Sequence, residues 1–161
     1  VEEEKIQVDS ATLAEKLLNM VLSAPPEEDG AFKRRFDEFV LLRAFAVDYA
    51  LALMSAKQAI FDSVRDHYAT CTNRIADSKP QFTQDKVSKH LKKYSEAVTL
   101  LTPELGFWEV GRQFSRFLST KEPWVPDALE IAVGSGYFAR RLEAVTEFLE
   151  KCDVRDREST N

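Results

Sequence analysis

Phe39-Val40-Leu41-Leu42-Arg43-Ala44-Phe45-Ala46-Val47-Asp48-Tyr49-Ala50-Leu51-Ala52-Leu53-Met54 is the stretch that decides the fold. It lies inside a run of 49 residues, 31 to 79, that contains neither glycine nor proline. Along that run Phe32, Phe36, Phe39, Arg43, Ala46, Ala50, Met54, Lys57, Phe61, Val64, Tyr68, Cys71 and Ile75 follow at steps of three and four. That spacing stacks them on one side of an α-helix, and only Arg43 and Lys57 are polar. Between Phe39 and Met54 the apolar character spreads to nearly every face. A helix apolar all round is buried all round, so this stretch is expected to be the hub of the fold. A continuous helix over about 31–77 would be roughly 70 Å long. That exceeds a compact domain of this size, so a kink, a break or a protruding end is expected, the more polar Arg65–Lys79 being the end to protrude.

Working outward, five or six helices are expected in one all-α bundle spanning 1–161, with loose tails at 1–8 and 153–161. Asp9 or Ser10 is placed to cap a first helix whose buried stripe is Leu13, Leu17, Leu18, Val21 and Leu22. Residues 23–30, with Pro25, Pro26 and Gly30, read as a loop. After Pro80, Thr83 is an N-cap and Asp85 suits the first turn of a helix with Val87, Leu91, Tyr94, Val98 and Leu101 on one face. Thr102-Pro103-Glu104 restarts the chain into a helix bearing Phe107, Trp108, Phe114, Phe117 and Leu118. Pro123–Asp127 makes a corner, and a last helix carries Phe138, Leu142, Val145, Leu149 and Cys152. No alternating pattern predicts a strand.

Composition sets further bounds. At 44% hydrophobic and 30% charged residues the chain is that of a globular domain with a full core. No apolar run reaches the length that predicts a transmembrane helix. The acidic opening Glu2-Glu3-Glu4 has the wrong sign for a targeting segment, and a cytoplasmic location is expected. Residues 1–30 hold eight acids against two lysines; the remainder holds 19 acids against 20 basic residues, so the net charge of −5 sits at the front. A balanced body argues against a surface that coats nucleic acid broadly. Cys71 and Cys152, each on an apolar ladder, are expected to be buried free thiols.

Several patterns bear on chemistry. Leu129-Glu130-Ile131-Ala132-Val133-Gly134-Ser135-Gly136-Tyr137-Phe138 resembles the first motif of S-adenosylmethionine-dependent methyltransferases. That resemblance implies a Rossmann-like α/β domain with the cofactor at the glycine turn. Only 25 residues follow Gly136, and they read as one helix and a tail. The glycines are therefore expected to mark a break or a tight packing point between helical pieces, and no cofactor is expected. His67 and His90 lack the Glu-x-x-His setting of carboxylate-bridged di-iron bundles, and no Cys–His cluster predicts a metal site. No serine or cysteine has a marked partner base, so no catalytic residue is assigned.

Lys86, Lys89, His90 and Lys93 form a basic stripe opposite the apolar face of their helix, which Arg112 and Arg116, with Arg140 and Arg141, would extend along a phosphate backbone. Trp108 and Trp124, near helix starts or corners, suit a protein interface, where aromatics carry much of the binding energy. Asp48, set in the most apolar segment with Arg43 five residues earlier, needs a partner if buried. The leading expectation is a non-enzymatic helical interaction or assembly module that binds another protein or itself. The second is a helical subunit of a nucleoprotein complex, and the third an enzyme or small-ligand site near Asp48.

Overall fold

A computed structural model describes residues 4–23, 33–99 and 107–156, with helix α2 described by its backbone alone at 33–35. The elements are β1 (Ile6–Val8), α1 (Ser10–Ser23), α2 (Lys33–Lys57), α3 (Ile60–Cys71), α4 (Asn73–Ser78), α5 (Gln84–Val98), α6 (Trp108–Leu118), α7 (Ala128–Glu150) and β2 (Cys152–Val154). The protein is an all-α bundle, with six longer helices, the six-residue α4 and one minimal sheet among the described residues. The 23–30 loop beyond Ser23, Leu101, the Thr102–Glu104 restart and the tail beyond Asp156 lie outside the described residues.

α2 is the hub, and it packs against α1, α3, α5, α6 and α7. Every residue from Glu38 to Val47 is buried, as are Ala50, Leu51 and Met54. Phe45 stacks with Tyr94 of α5 and Phe138 of α7 at centroid distances of 5.7 and 5.5 Å. Phe39 meets Phe114 of α6 and Tyr137 of α7. The segment Phe36–Lys57 is long and apolar enough to cross a membrane, with a mean hydropathy of 1.7. Two-thirds of its apolar window is enclosed by the other helices, which is the position of a core helix.

The long apolar run is not one helix. It ends at Lys57, turns through Gln58 and Ala59, and resumes as α3, with a second interruption at Thr72 before α4. α3 runs back antiparallel along α2. Ser55 bonds Asp62, Arg65 pairs with Asp48, and the Tyr68 hydroxyl donates to the Ala44 carbonyl at 2.8 Å. The expected protruding end therefore does not protrude. It packs on α1, α2 and α5, burying Tyr68 and Ile75 together with Phe61 and Val64 just before it. A 3.6-residue ladder looks the same in a continuous helix and in a hairpin whose two arms face one core. The hairpin wins because a straight extension would leave those aromatic and aliphatic groups in water, at about 1.5–3 kcal/mol each.

The described ends of the chain, expected as loose tails, are instead paired with each other over Ile6–Val8 and Cys152–Val154, residues 1–3 lying outside the described ones. β1 and β2 pair in parallel, with Ile6 opposite Cys152 and Val8 opposite Val154. The Arg155 amide donates to the Val8 carbonyl at 3.0 Å. Asp156 then accepts from the Ser10 amide at 2.8 Å and the Ser10 hydroxyl at 2.7 Å. Asp9 caps α1 through Thr12, as its sequence position predicts. Thr83 likewise caps α5 by accepting from the Lys86 amide.

The ten-residue stretch at 129–138 lies wholly within α7, unbroken at both glycines. Gly134 is instead a packing point, since a Cβ there would lie 2.6 Å from the Phe114 ring. Gly111 does the same for α6, where a Cβ would lie 2.2 Å from the Ile131 carbonyl oxygen. Both cysteines are free; Cys152 is buried, whereas Cys71 is half-buried, 3.9 Å from Glu15 Oε1.

Candidate functional site

The expected site residues fall into separate places. Thr83 sets the start of α5, and the helical period then puts Lys86, Lys89 and Lys93 along one side. Lys93 faces α6, where Arg112 and Arg116, one turn apart, lie over the Trp124 indole at 5.5 and 5.8 Å from its centroid. Together with Glu96, Glu109 and Gln113 they line a cleft of about 240 Å³. Lys93 pairs with Glu96 at 3.4 Å, and Arg112 approaches Glu109 at 3.8 Å. Trp124 Nε1 is buried and has no hydrogen-bond partner among the described residues. One residue on, the chain turns apolar groups outward: Val125 is 72% exposed and Leu129, at the start of α7, 70% exposed. Both belong to a neighbouring cleft with Leu118 and Pro126. Trp108 is half-buried at the first position of α6.

Lys86 opens onto a different cleft, of about 430 Å³, with Asp37, Glu38, His90, Phe117, Ser119 and Thr120. The basic stripe therefore converges only in part: Lys93, Arg112 and Arg116 share a groove, Lys86 belongs elsewhere, and Lys89 is exposed on α5. His90 does not belong to the solvent-facing stripe at all. It is 8% exposed, its Nδ1 lies 2.8 Å from Glu38 Oε1, and its ring stacks on Phe117 at 3.5 Å. Glu38, 4% exposed, also accepts from the Tyr94 hydroxyl at 2.7 Å. Burial and the adjacent carboxylate push the Tyr94 phenol well above its ordinary range.

This Glu38–His90–Tyr94 cluster was not legible as a cluster, because its members are 52 and 56 residues apart. One local signal existed. His90 stands three residues after Val87 and four before Tyr94, on the shoulder of the apolar stripe. The outward placement of Val125, in the expected corner, and of Leu129 had no local signal, since composition does not tell whether an apolar side chain there is covered.

Asp48 and Arg43 do not meet. Asp48 is one-third exposed and accepts two hydrogen bonds from Arg65, at 3.0 and 3.1 Å. The Asp48 carboxylate also raises the Arg65 guanidinium above its usual value. Arg43, 6% exposed, donates through Nε and Nη2 to the Val21 carbonyl and through Nη1 to the Tyr137 hydroxyl. A site built on Asp48 with Arg43 is thus not formed, and Asp48 is held as a structural ion pair. Among the described residues no group of three or more histidine, cysteine and acidic side chains is arranged to hold a metal ion.

No family model matches the chain, and neither the curated proteins nor the solved structures contain a significant match to it.

Proposed function

We propose that this protein is a non-enzymatic, cytoplasmic interaction module that docks another protein through the corner between α6 and α7. The observation that carries this reading is the outward placement of Val125 and Leu129 beside Trp124. Two large aliphatic side chains held in water at the corner where Asp127 caps α7, by accepting from the Leu129 and Glu130 amides, gain by burial against a partner, at about 25 cal/mol per Å² of apolar surface covered. The aromatic and arginine groups next to them are the types that dominate interface energies. Size-exclusion chromatography with light scattering, combined with a photo-crosslinking residue at position 125 and a control at Lys89, tests the proposal. A discrete complex or adduct specific to position 125, lost in Leu129→Glu, is the expected result. A monomer whose crosslinks at 125 match those at 89 contradicts it.

A second reading is favoured by one observation, the shared groove of Lys93, Arg112 and Arg116. It makes the protein a helical subunit that contacts nucleic acid. Affinity for a short single strand should then fall steeply with salt and with each cation removed.

A further inference from the structure

Resting on the interaction reading, we propose that the Trp124 groove is a carboxylate-binding subsite that takes an acidic side chain from an aliphatic-acidic segment of the partner protein. The groove holds more donors than acceptors. Lys93 is matched by Glu96, and Glu109 reaches Arg112 only at 3.8 Å. Arg116 lies over the indole with no carboxylate partner among the described residues. The Trp124 N–H, shielded from solvent, has no acceptor among the described residues, and a buried donor without one costs about 1–3 kcal/mol. Two guanidiniums one helical turn apart on a shared ring offer the forked donors that a carboxylate accepts in pairs. A groove of about 240 Å³ admits a side chain, not a helix.

The surroundings select a peptide over a polyanion. Glu96 and Glu109 stand in the groove itself, so its cations Lys93, Arg112 and Arg116 exceed the acids by one, which suits a single carboxylate and not a run of phosphates. Lys86 faces Asp37 and Glu38 in another cleft and does not continue a basic track. Val125 and Leu129 begin one residue beyond Trp124 and match aliphatic side chains, which nucleic acid lacks. The occupant therefore carries an acidic residue for Arg112 and Arg116 next to an apolar residue for the Val125–Leu129 surface.

The test uses the full chain with Trp108→Phe, leaving Trp124 as the single indole of the two in the sequence. Circular dichroism first checks that each variant is folded. The probes are a short capped peptide alternating glutamate and leucine, its glutamine–leucine counterpart, and an oligothymidylate. The acidic peptide should perturb Trp124 emission and bind about tenfold or more tightly than the glutamine version, and Arg116→Glu should cost at least about tenfold. Arg116 is exposed, so its substitution leaves the core untouched. Equal binding of the two peptides, indifference to Arg116→Glu, or Arg116-dependent binding of the oligothymidylate in place of the peptide would overturn the subsite. Binding abolished by Leu129→Glu but not by Arg116→Glu would reject the carboxylate subsite and leave the docking corner standing. Peptide binding indifferent to both substitutions, or absent, would reject both.

Discussion

Arg43 lies inside the bundle with no carboxylate partner among the described residues, and two features offset its desolvation. It donates twice to the Val21 carbonyl in the last turn of α1, where the helix dipole is negative, and once to Tyr137. Glu38 has the opposite charge and a more conventional solution, with donors from both His90 and Tyr94. Removing one member of such a cluster strands the rest, whereas replacing all of it with apolar groups does not. Glu38→Ala should therefore lower stability by about 3–5 kcal/mol, measured by urea denaturation. The triple change Glu38→Met, His90→Leu, Tyr94→Phe should recover most of that loss. A triple variant no more stable than the single one would show that the cluster contributes through packing alone.

At the scale of elements, Gly134, part of the string that resembles a cofactor turn, and Gly111 are both explained by contact. Gly111 and Gly134 let α6 and α7 approach until a methyl group would overlap the Ile131 carbonyl or the Phe114 ring. Backbone cannot move aside as a flexible side chain can. Gly111→Ala should thus destabilise by about 2 kcal/mol or more, even though alanine is the better helix former. Thermal unfolding of Gly111→Ala beside Gly136→Ala, where the nearest atom is the movable end of Arg140, isolates the effect. The terminal clip is a second element-scale device. Ending the chain at Lys151 removes buried Cys152 and Val154 together with the Asp156–Ser10 bonds, and should cost about 3 kcal/mol in urea. Hydrogen bonds from Ser10 hold the Asp156 carboxyl below its ordinary value. Its contribution is full above the unfolded carboxyl value and fades as pH falls through the folded one. Because Asp156 is exposed, that contribution is below about 1 kcal/mol, and Asp156→Asn should flatten the acid limb of stability only slightly.

For the whole molecule the alkaline limit follows from two buried phenols. Burial first, then nearby negative charge, raises Tyr68 and Tyr94 well above the ordinary phenol value of about 10. A buried phenol stays protonated in the folded state while the unfolded chain releases its proton. Folding stability is thus undiminished below the unfolded value and declines above it, by up to about 1.4 kcal/mol per pH unit for each phenol. Phenolate absorbance should show the Tyr68 and Tyr94 phenols ionising only as circular dichroism reports unfolding. Smooth ionisation of both in folded protein would contradict the burial of Tyr68 and Tyr94.

The helical class, the hub role of 39–54, the caps at Asp9 and Thr83 and the packing role of Gly134 were all legible in the chain. Each depends on neighbours within a turn or two, or on how apolar a helix is around its circumference. The hairpin at Gln58–Ala59 was not legible, because the apolar ladder keeps its phase through a turn that contains neither glycine nor proline. Nor was the sheet, since three-residue strands have too few alternations to register and owe their pairing to a partner nearly the whole chain away. The same holds for the site. Local sequence placed Arg112 and Arg116 one turn apart and Lys93 on an outward helix face. Only the packing of α5, α6 and the 119–127 segment set those cations around Trp124, turned His90 inward onto Glu38, and left Val125 and Leu129 facing water. Periodicity determines which side of a helix is apolar; which sides meet is decided by the burial that the assembled helices achieve together.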